Sequence, residues 1–213
     1  VLLILISSLV TAGIAQTFIE QKVVKVACVG DSITELSGYP FKLQLLLGYN
    51  FNVENFGVSG STASVNSNIS YVNQTAFQKA LAFQPDFVIL MLGTNDANRA
   101  TCYDTDIADD YMRIVLAFQS LQSRPEIVAV DSPPIYSTYS GYNNTYLVNN
   151  IIPAINYVAD TLDLPTVDMY NTLNNSDYFA DGIHPNENGA TILADTLYGA
   201  VQQYYDPTDD PYF

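Results

Sequence analysis

A single histidine stands among the 213 residues of the chain: His184, within Asp181-Gly182-Ile183-His184-Pro185. If the chain performs serine-based acyl chemistry, this imidazole has no rival as general base. Asp181 lies three residues earlier, and Gly182 lets the chain bend so that the carboxylate can reach Nδ1. That contact would fix the tautomer and stabilise the imidazolium as a serine proton arrives. Ser32, in Gly30-Asp31-Ser32, directly follows an apolar run and can present its hydroxyl at a strand-to-helix turn. A serine hydroxyl is a poor nucleophile until a base takes its proton, which ties Ser32 to His184. Acyl transfer further needs donors for the developing oxyanion. The candidates are the backbone N–H of Ser32, the backbone N–H of Gly57 and the side-chain amide of Asn95.

Each of these segments also has an ordinary structural reading. Asp31 and Ser32 suit a capped turn, Gly93-Thr94-Asn95-Asp96 a turn after a strand, and Asp181 to His184 a loop before a helix. Ser59 is set aside as nucleophile, because Gly57-Val58-Ser59-Gly60-Ser61 has Ser where the nucleophile elbow needs its last Gly. The aspartates Asp86, Asp96, Asp104, Asp106, Asp109 and Asp110 match no calcium loop, since Asp104-x-Asp106 lacks the following Gly and terminal Glu. They read instead as negative charge at a helix N-terminus, and no metal is expected.

The elements that must position these residues are visible as alternating patterns. Five short apolar runs, Val23–Val29, Phe51–Phe56, Asp86–Leu92, Glu126–Asp131 and Leu164–Asp168, suit strands buried on both faces of a parallel sheet. Between them, helical spacing occupies Tyr39–Leu47, Thr75–Phe83, Ile107–Leu121, Leu147–Leu162 and Glu187–Tyr205. In Ile107–Leu121, for example, Ile107, Tyr111, Ile114, Val115 and Phe118 share one face. Alternation of this kind predicts a single α/β domain, a three-layer sandwich with right-handed crossovers. Ligands bind such sheets beyond the carboxyl ends of the strands, where Ser32, Gly57 and Asn95 all fall.

The four segments Gly30-Asp31-Ser32-Ile33, Asn55-Phe56-Gly57-Val58-Ser59-Gly60, Gly93-Thr94-Asn95-Asp96 and Asp181-Gly182-Ile183-His184-Pro185 resemble, in order and spacing, the blocks of the SGNH or GDSL hydrolase family. The resemblance runs from about Val23 to Tyr205. It implies Ser32 as nucleophile, His184 as base and Asp181 as its orienting partner. It further implies oxyanion donors at Ser32, Gly57 and Asn95, a flavodoxin-like five-stranded order 2-1-3-4-5, and no metal or organic cofactor. One departure is that Glu35-Leu36-Ser37-Gly38-Tyr39 leads quickly into the first long helix, where family members often carry a Gly-rich stretch. That shortens one wall of the site.

Composition bounds the partners. The 22 Asp and Glu against 7 Lys and Arg leave a net charge of −15, which argues against nucleic acid and anionic membrane surfaces and favours a neutral or cationic partner. With 48% hydrophobic and 14% charged residues the chain can bury a substantial core and is not disordered. Val1–Ala15 is apolar to Val10 and then small, with Gly13 and Ala15 before Gln16, the pattern of a secretory signal peptide and its cleavage site. The expectation is a secreted protein, residues 16–213 forming one hydrolase domain with a frayed tail over Asp206–Phe213 and no stable membrane association. Sequons at Asn68, Asn73, Asn143 and Asn174 fit export. Cys28 and Cys102 are too few for a disulfide framework, but an oxidising compartment permits a bridge between them.

For the substrate, the run Pro133–Tyr146 interleaves Tyr with Ser, Gly and Asn and should lie on the active-site side. Its tyrosines can offer flat faces and hydroxyls to a sugar, or simply form a polar surface loop. The pattern, including Phe83-Gln84-Pro85-Asp86-Phe87, is most similar to the carbohydrate and sialate O-acetylesterase branch of the family. The expected substrate is a small-molecule or glycan ester with a short, acetyl-sized acyl group. Two other readings stay open. One is a lysophospholipase or thioesterase using the same residues, and the other is a non-catalytic glycan-binding protein on an esterase scaffold.

Overall fold

A computed structural model of the chain describes residues 22–102, 107–137 and 141–205. The leader over Val1–Ala15, the tail over Asp206–Phe213, and Asp104 and Asp106 lie outside the described residues.

Five strands, β1 (Val24–Gly30), β2 (Phe51–Gly57), β3 (Phe87–Met91), β4 (Glu126–Val130) and β5 (Thr166–Val167), form one sheet in the order β2-β1-β3-β4-β5. Every pairing is parallel. This is the order that the family resemblance implies, and the strands themselves were legible because they are buried on both faces. All five residues of β3 are buried, with Phe87, Ile89 and Met91 facing one side and Val88 and Leu90 the other.

The long helices are α2 (Tyr39–Leu47), α3 (Thr75–Phe83), α4 (Ala108–Gln119), α6 (Ile152–Thr161) and α8 (Glu187–Tyr204), and the short ones are α1 (Ser32–Leu36), α5 (Asn144–Tyr146) and α7 (Met169–Thr172). On one face of the sheet α2 and α8 pack with Tyr39, Leu43, Leu193 and Leu197 inward. On the other, α3, α4 and α6 contribute Phe77, Tyr111, Phe118 and Ile155. The molecule is therefore a three-layer α/β/α sandwich.

Three local departures from the pattern have physical causes. β5 shrinks to two residues because Pro165 has no N–H to give, and Asp168 leaves the strand to cap α7 by accepting from the Asn171 amide at 2.9 Å. The helix expected over Leu147–Leu162 opens with a π-helical stretch, Leu147–Ile151, just before Pro153, whose missing N–H cannot complete an α-helical ladder. The segment after Ser32 folds as the extra turn α1 instead of running straight to α2, and Gly38, at φ +80°, makes the corner between them.

Candidate active site

Ser32 opens α1 immediately beyond β1. Asp31 is the N-cap, and its Oδ1 accepts from the Ile33 amide at 2.9 Å, so the helix starts where the strand ends. The Ser32 hydroxyl is held 2.9 Å from His184 Nε2. His184 Nδ1 lies 2.7 Å from Asp181 Oδ2. The other carboxylate oxygen of Asp181 accepts from the amides of His184 at 2.8 Å and Ile183 at 2.9 Å. A serine, an imidazole and a carboxylate thus stand in line, 152 residues of chain closed into a single hydrogen bond.

The loop carrying His184 is fixed on both sides. The Ala180 amide donates to the His184 carbonyl, and the Tyr136 and Ser137 amides both donate to the carbonyl of Gly182, which adopts φ +83°. The expected bend at Gly182 is thereby present. Downstream, Asn186 caps α8 by accepting from the Asn188 and Gly189 amides.

Charge in the site is set by burial and hydrogen bonding. Partial burial pushes the Asp181 carboxyl up, but the His184 amide, the His184 ring and the Ile183 amide outweigh it and hold the pKa at about 2. The carboxylate is therefore ionised wherever the imidazole needs a partner. Asp31 is the opposite case. It is 1% exposed, and burial pushes its carboxyl up to about 7, aided by the nearby charge of Asp96 and opposed by the Ile33 amide, His184 and Thr94.

The expected oxyanion donors meet different fates. Ser32 N–H points from the start of α1 with no acceptor among the described residues. Asn95 is 5% exposed, with Nδ2 donating to the Ser61 carbonyl at 3.0 Å and a second hydrogen to spare. Gly57 corrects the sequence reading. Its N–H donates to Asn55 Oδ1 at 2.9 Å and is not available to a substrate. Its missing Cβ serves packing instead, because one built there would sit 2.4 Å from the Glu35 nitrogen. The amide of Gly60, in the turn after β2, has no acceptor among the described residues. Gly57 closes β2 with its amide taken by the Asn55 side chain, whereas Gly60 lies three residues further on in the turn at φ +77°.

Three of the aspartates considered for a metal have partners among the described residues. Asp86 pairs with Lys22 at 2.8 Å, Asp96 accepts from the Ala63 and Ser64 amides, and Asp110 takes the Val65 amide and Arg113. Asp109 and Asp110 lie in the first turn of α4, as the dipole argument expects. Cys28 and Cys102 are both buried thiols, so the permitted bridge is not formed. Cys28 lies on β1 among the residues facing α2 and α8, beside the Tyr39 hydroxyl, whereas the backbone of Cys102 pairs with that of Ser67 in an isolated antiparallel β-bridge. The four sequon asparagines, Asn68, Asn73, Asn143 and Asn174, are all exposed.

A serine, histidine and aspartate meet beyond the carboxyl ends of a 2-1-3-4-5 sheet, an arrangement that can perform serine-based acyl transfer. Residues 28–192 match the model of the GDSL-like lipase/acylhydrolase family, and the chain belongs to that family. It is similar to an acetylxylan esterase of Xylanibacter ruminicola, with 30% identity over 86% of this chain and 44% of the relative. It is also similar to a GDSL esterase/lipase of Arabidopsis thaliana, with 26% identity over 60% of this chain and 58% of the relative. The chain thus spans about half the length of these curated relatives. Among solved structures, a carbohydrate acetylesterase of Sinorhizobium meliloti superposes with a TM-score of 0.71 at 18% identity, covering 85% of this chain and 100% of that one. The aryl esterase of M. smegmatis superposes at 0.69, with 18% identity and the same coverage. These two likenesses establish the fold.

Proposed function

We propose that the domain is a serine esterase that removes short acyl groups, acetyl foremost, from carbohydrate. The observation that carries the mechanism is the line of contacts from Ser32 Oγ through His184 to Asp181, at 2.9 Å and 2.7 Å. The likeness to an acetylxylan esterase supports the acyl and carbohydrate preference.

Ser32 Oγ attacks the ester carbonyl while His184 Nε2 takes its proton, and Asp181 stabilises the imidazolium. Negative charge gathers on the former carbonyl oxygen, where the Ser32 and Gly60 amides and the Asn95 Nδ2 donate to it. Collapse expels the sugar alkoxide, which takes the proton from His184, and leaves an acyl group on Ser32. Water then attacks the acyl-enzyme with His184 again as base, and the acid departs. Secretion follows from the leader over Val1–Ala15, and exposed sequons are compatible with glycosylation. Among the described residues no helix is long and apolar enough to cross a membrane.

A chain-length series tests the substrate side. Hydrolysis of p-nitrophenyl acetate should exceed that of the octanoate, and acetate should be released from acetylated xylan. Preference for octanoate would support a lysophospholipase or thioesterase acting with the same residues. Hydrolysis of neither ester would favour a glycan-binding protein on an esterase scaffold.

A further inference from the structure

We propose that Tyr142 is a positioning residue for the oxyanion site, acting through Asn95. Its hydroxyl donates to Asn95 Oδ1 at 2.8 Å. Because Asn95 Nδ2 is simultaneously tied to the Ser61 carbonyl, the amide is gripped at both ends and its plane cannot rotate. The grip also decides which end faces which way. With Oδ1 occupied by a phenol proton, the NH2 end is the one turned away from Tyr142, and its second hydrogen is left for the oxyanion.

The phenol is itself fixed by the backbone. Tyr142 and Asn98 form a short antiparallel bridge, framed by Arg99 N–H to the Gly141 carbonyl at 2.7 Å and Asn143 N–H to the Ala97 carbonyl at 3.2 Å. Gly141 permits this approach, since a Cβ there would sit 2.1 Å from Asn98 Oδ1. The Asn98 side chain also hydrogen-bonds the Tyr142 hydroxyl. Asn98 Oδ1 already accepts from the Ala100 amide, so its NH2 is the group that donates to the phenol oxygen. A relay from Asn98 through Tyr142 to Asn95 therefore polarises the amide toward stronger donation from Nδ2. Tyr142 belongs to the tyrosine-rich run read from the sequence as a sugar surface or a polar surface loop, and its hydroxyl is committed to the enzyme's own machinery.

This inference rests on Asn95 being an oxyanion donor, and a double-mutant cycle separates the two claims. Losing an oxyanion donor outright costs about 10²–10³ in kcat, and loosening one should cost a fraction of that, roughly tenfold. Y142F keeps the ring and its packing. In the wild-type background it should lower kcat for p-nitrophenyl acetate roughly tenfold with KM little changed. In the N95A background the same change should have no further effect, because the amide it orients is gone. An equal loss in both backgrounds would assign Tyr142 to the substrate or to general packing and overturn the proposal. So would an unchanged kcat for Y142F where N95A is impaired. Full activity in N95A alone would instead overturn the oxyanion assignment of Asn95, and the positioning role with it. Thermal melts of all three variants record any loss of folded protein separately from kcat.

Discussion

Replacing Asp31 by Asn should stabilise the protein in alkaline solution and do little in acid. Asp31 caps α1 from a fully buried position, and its carboxyl is raised from 3.8 to about 7, chiefly by burial. A folded pKa above the unfolded one means that the native state binds the extra proton, so stability falls as pH rises between those values. The span is roughly 3 pH units at about 1.36 kcal/mol each, so ionisation costs the fold up to ~4 kcal/mol above pH 7. Asn keeps the geometry, since its Oδ1 can accept from the Ile33 amide and its NH2 can donate to the Thr94 hydroxyl, which is free to rotate. Urea unfolding of wild type and D31N across about pH 4 to pH 8 reads the effect. The variant's advantage should grow through that range by about 2–4 kcal/mol and then level off. Taking the difference matters because Asp131, raised to about 6 mainly by burial, gives the wild type a slope of the same sign. A difference that stays constant with pH would refute the reasoning, since it would mean that Asp31 is charged at no cost.

Further outcomes follow from the same structure. D181N should lower kcat by about 10²–10⁴, because one amide oxygen can still serve the backbone amides while the NH2 confronts Nδ1 and disfavours the needed tautomer; unchanged kcat would remove Asp181 from the mechanism. G57A should cost about 1–3 kcal/mol in chemical denaturation, as the new methyl meets the Glu35 backbone at 2.4 Å, and a neutral result would contradict the close approach. Burial pushes the Cys28 thiol up to about 12, so neither buried cysteine should react with a thiol reagent until the chain unfolds, whereupon both should, without reductant.

Much of this arrangement could be read from the chain because it depends on local pattern. Strands buried on both faces, such as Phe87–Met91, read as unbroken apolar runs, and a lone His184 three residues after Asp181 leaves no choice of base. What escaped was whatever depends on where a side chain turns or on a partner brought from far along the chain. Gly57 and Gly60 look equivalent until the Asn55 side chain is seen folding back to take one amide. Tyr142 reads as part of a sugar surface or a plain polar loop until the bridge at Asn98 aims its hydroxyl at Asn95, 47 residues away. The permitted pairing of Cys28 with Cys102 is not made, since alternation along β1 sends Cys28 into the α2 and α8 side of the core. The shortening of β5 was foreshadowed by Pro165, whose ring removes a donor from the strand.

The central claim is that Ser32 carries the acyl group, and labelling with a serine-directed fluorophosphonate tests it most directly. In the folded wild-type protein a single adduct should form on the peptide containing Ser32, in step with loss of p-nitrophenyl acetate hydrolysis, and S32A should neither label nor turn over. An active S32A, or an adduct at another serine such as Ser59, would contradict the account.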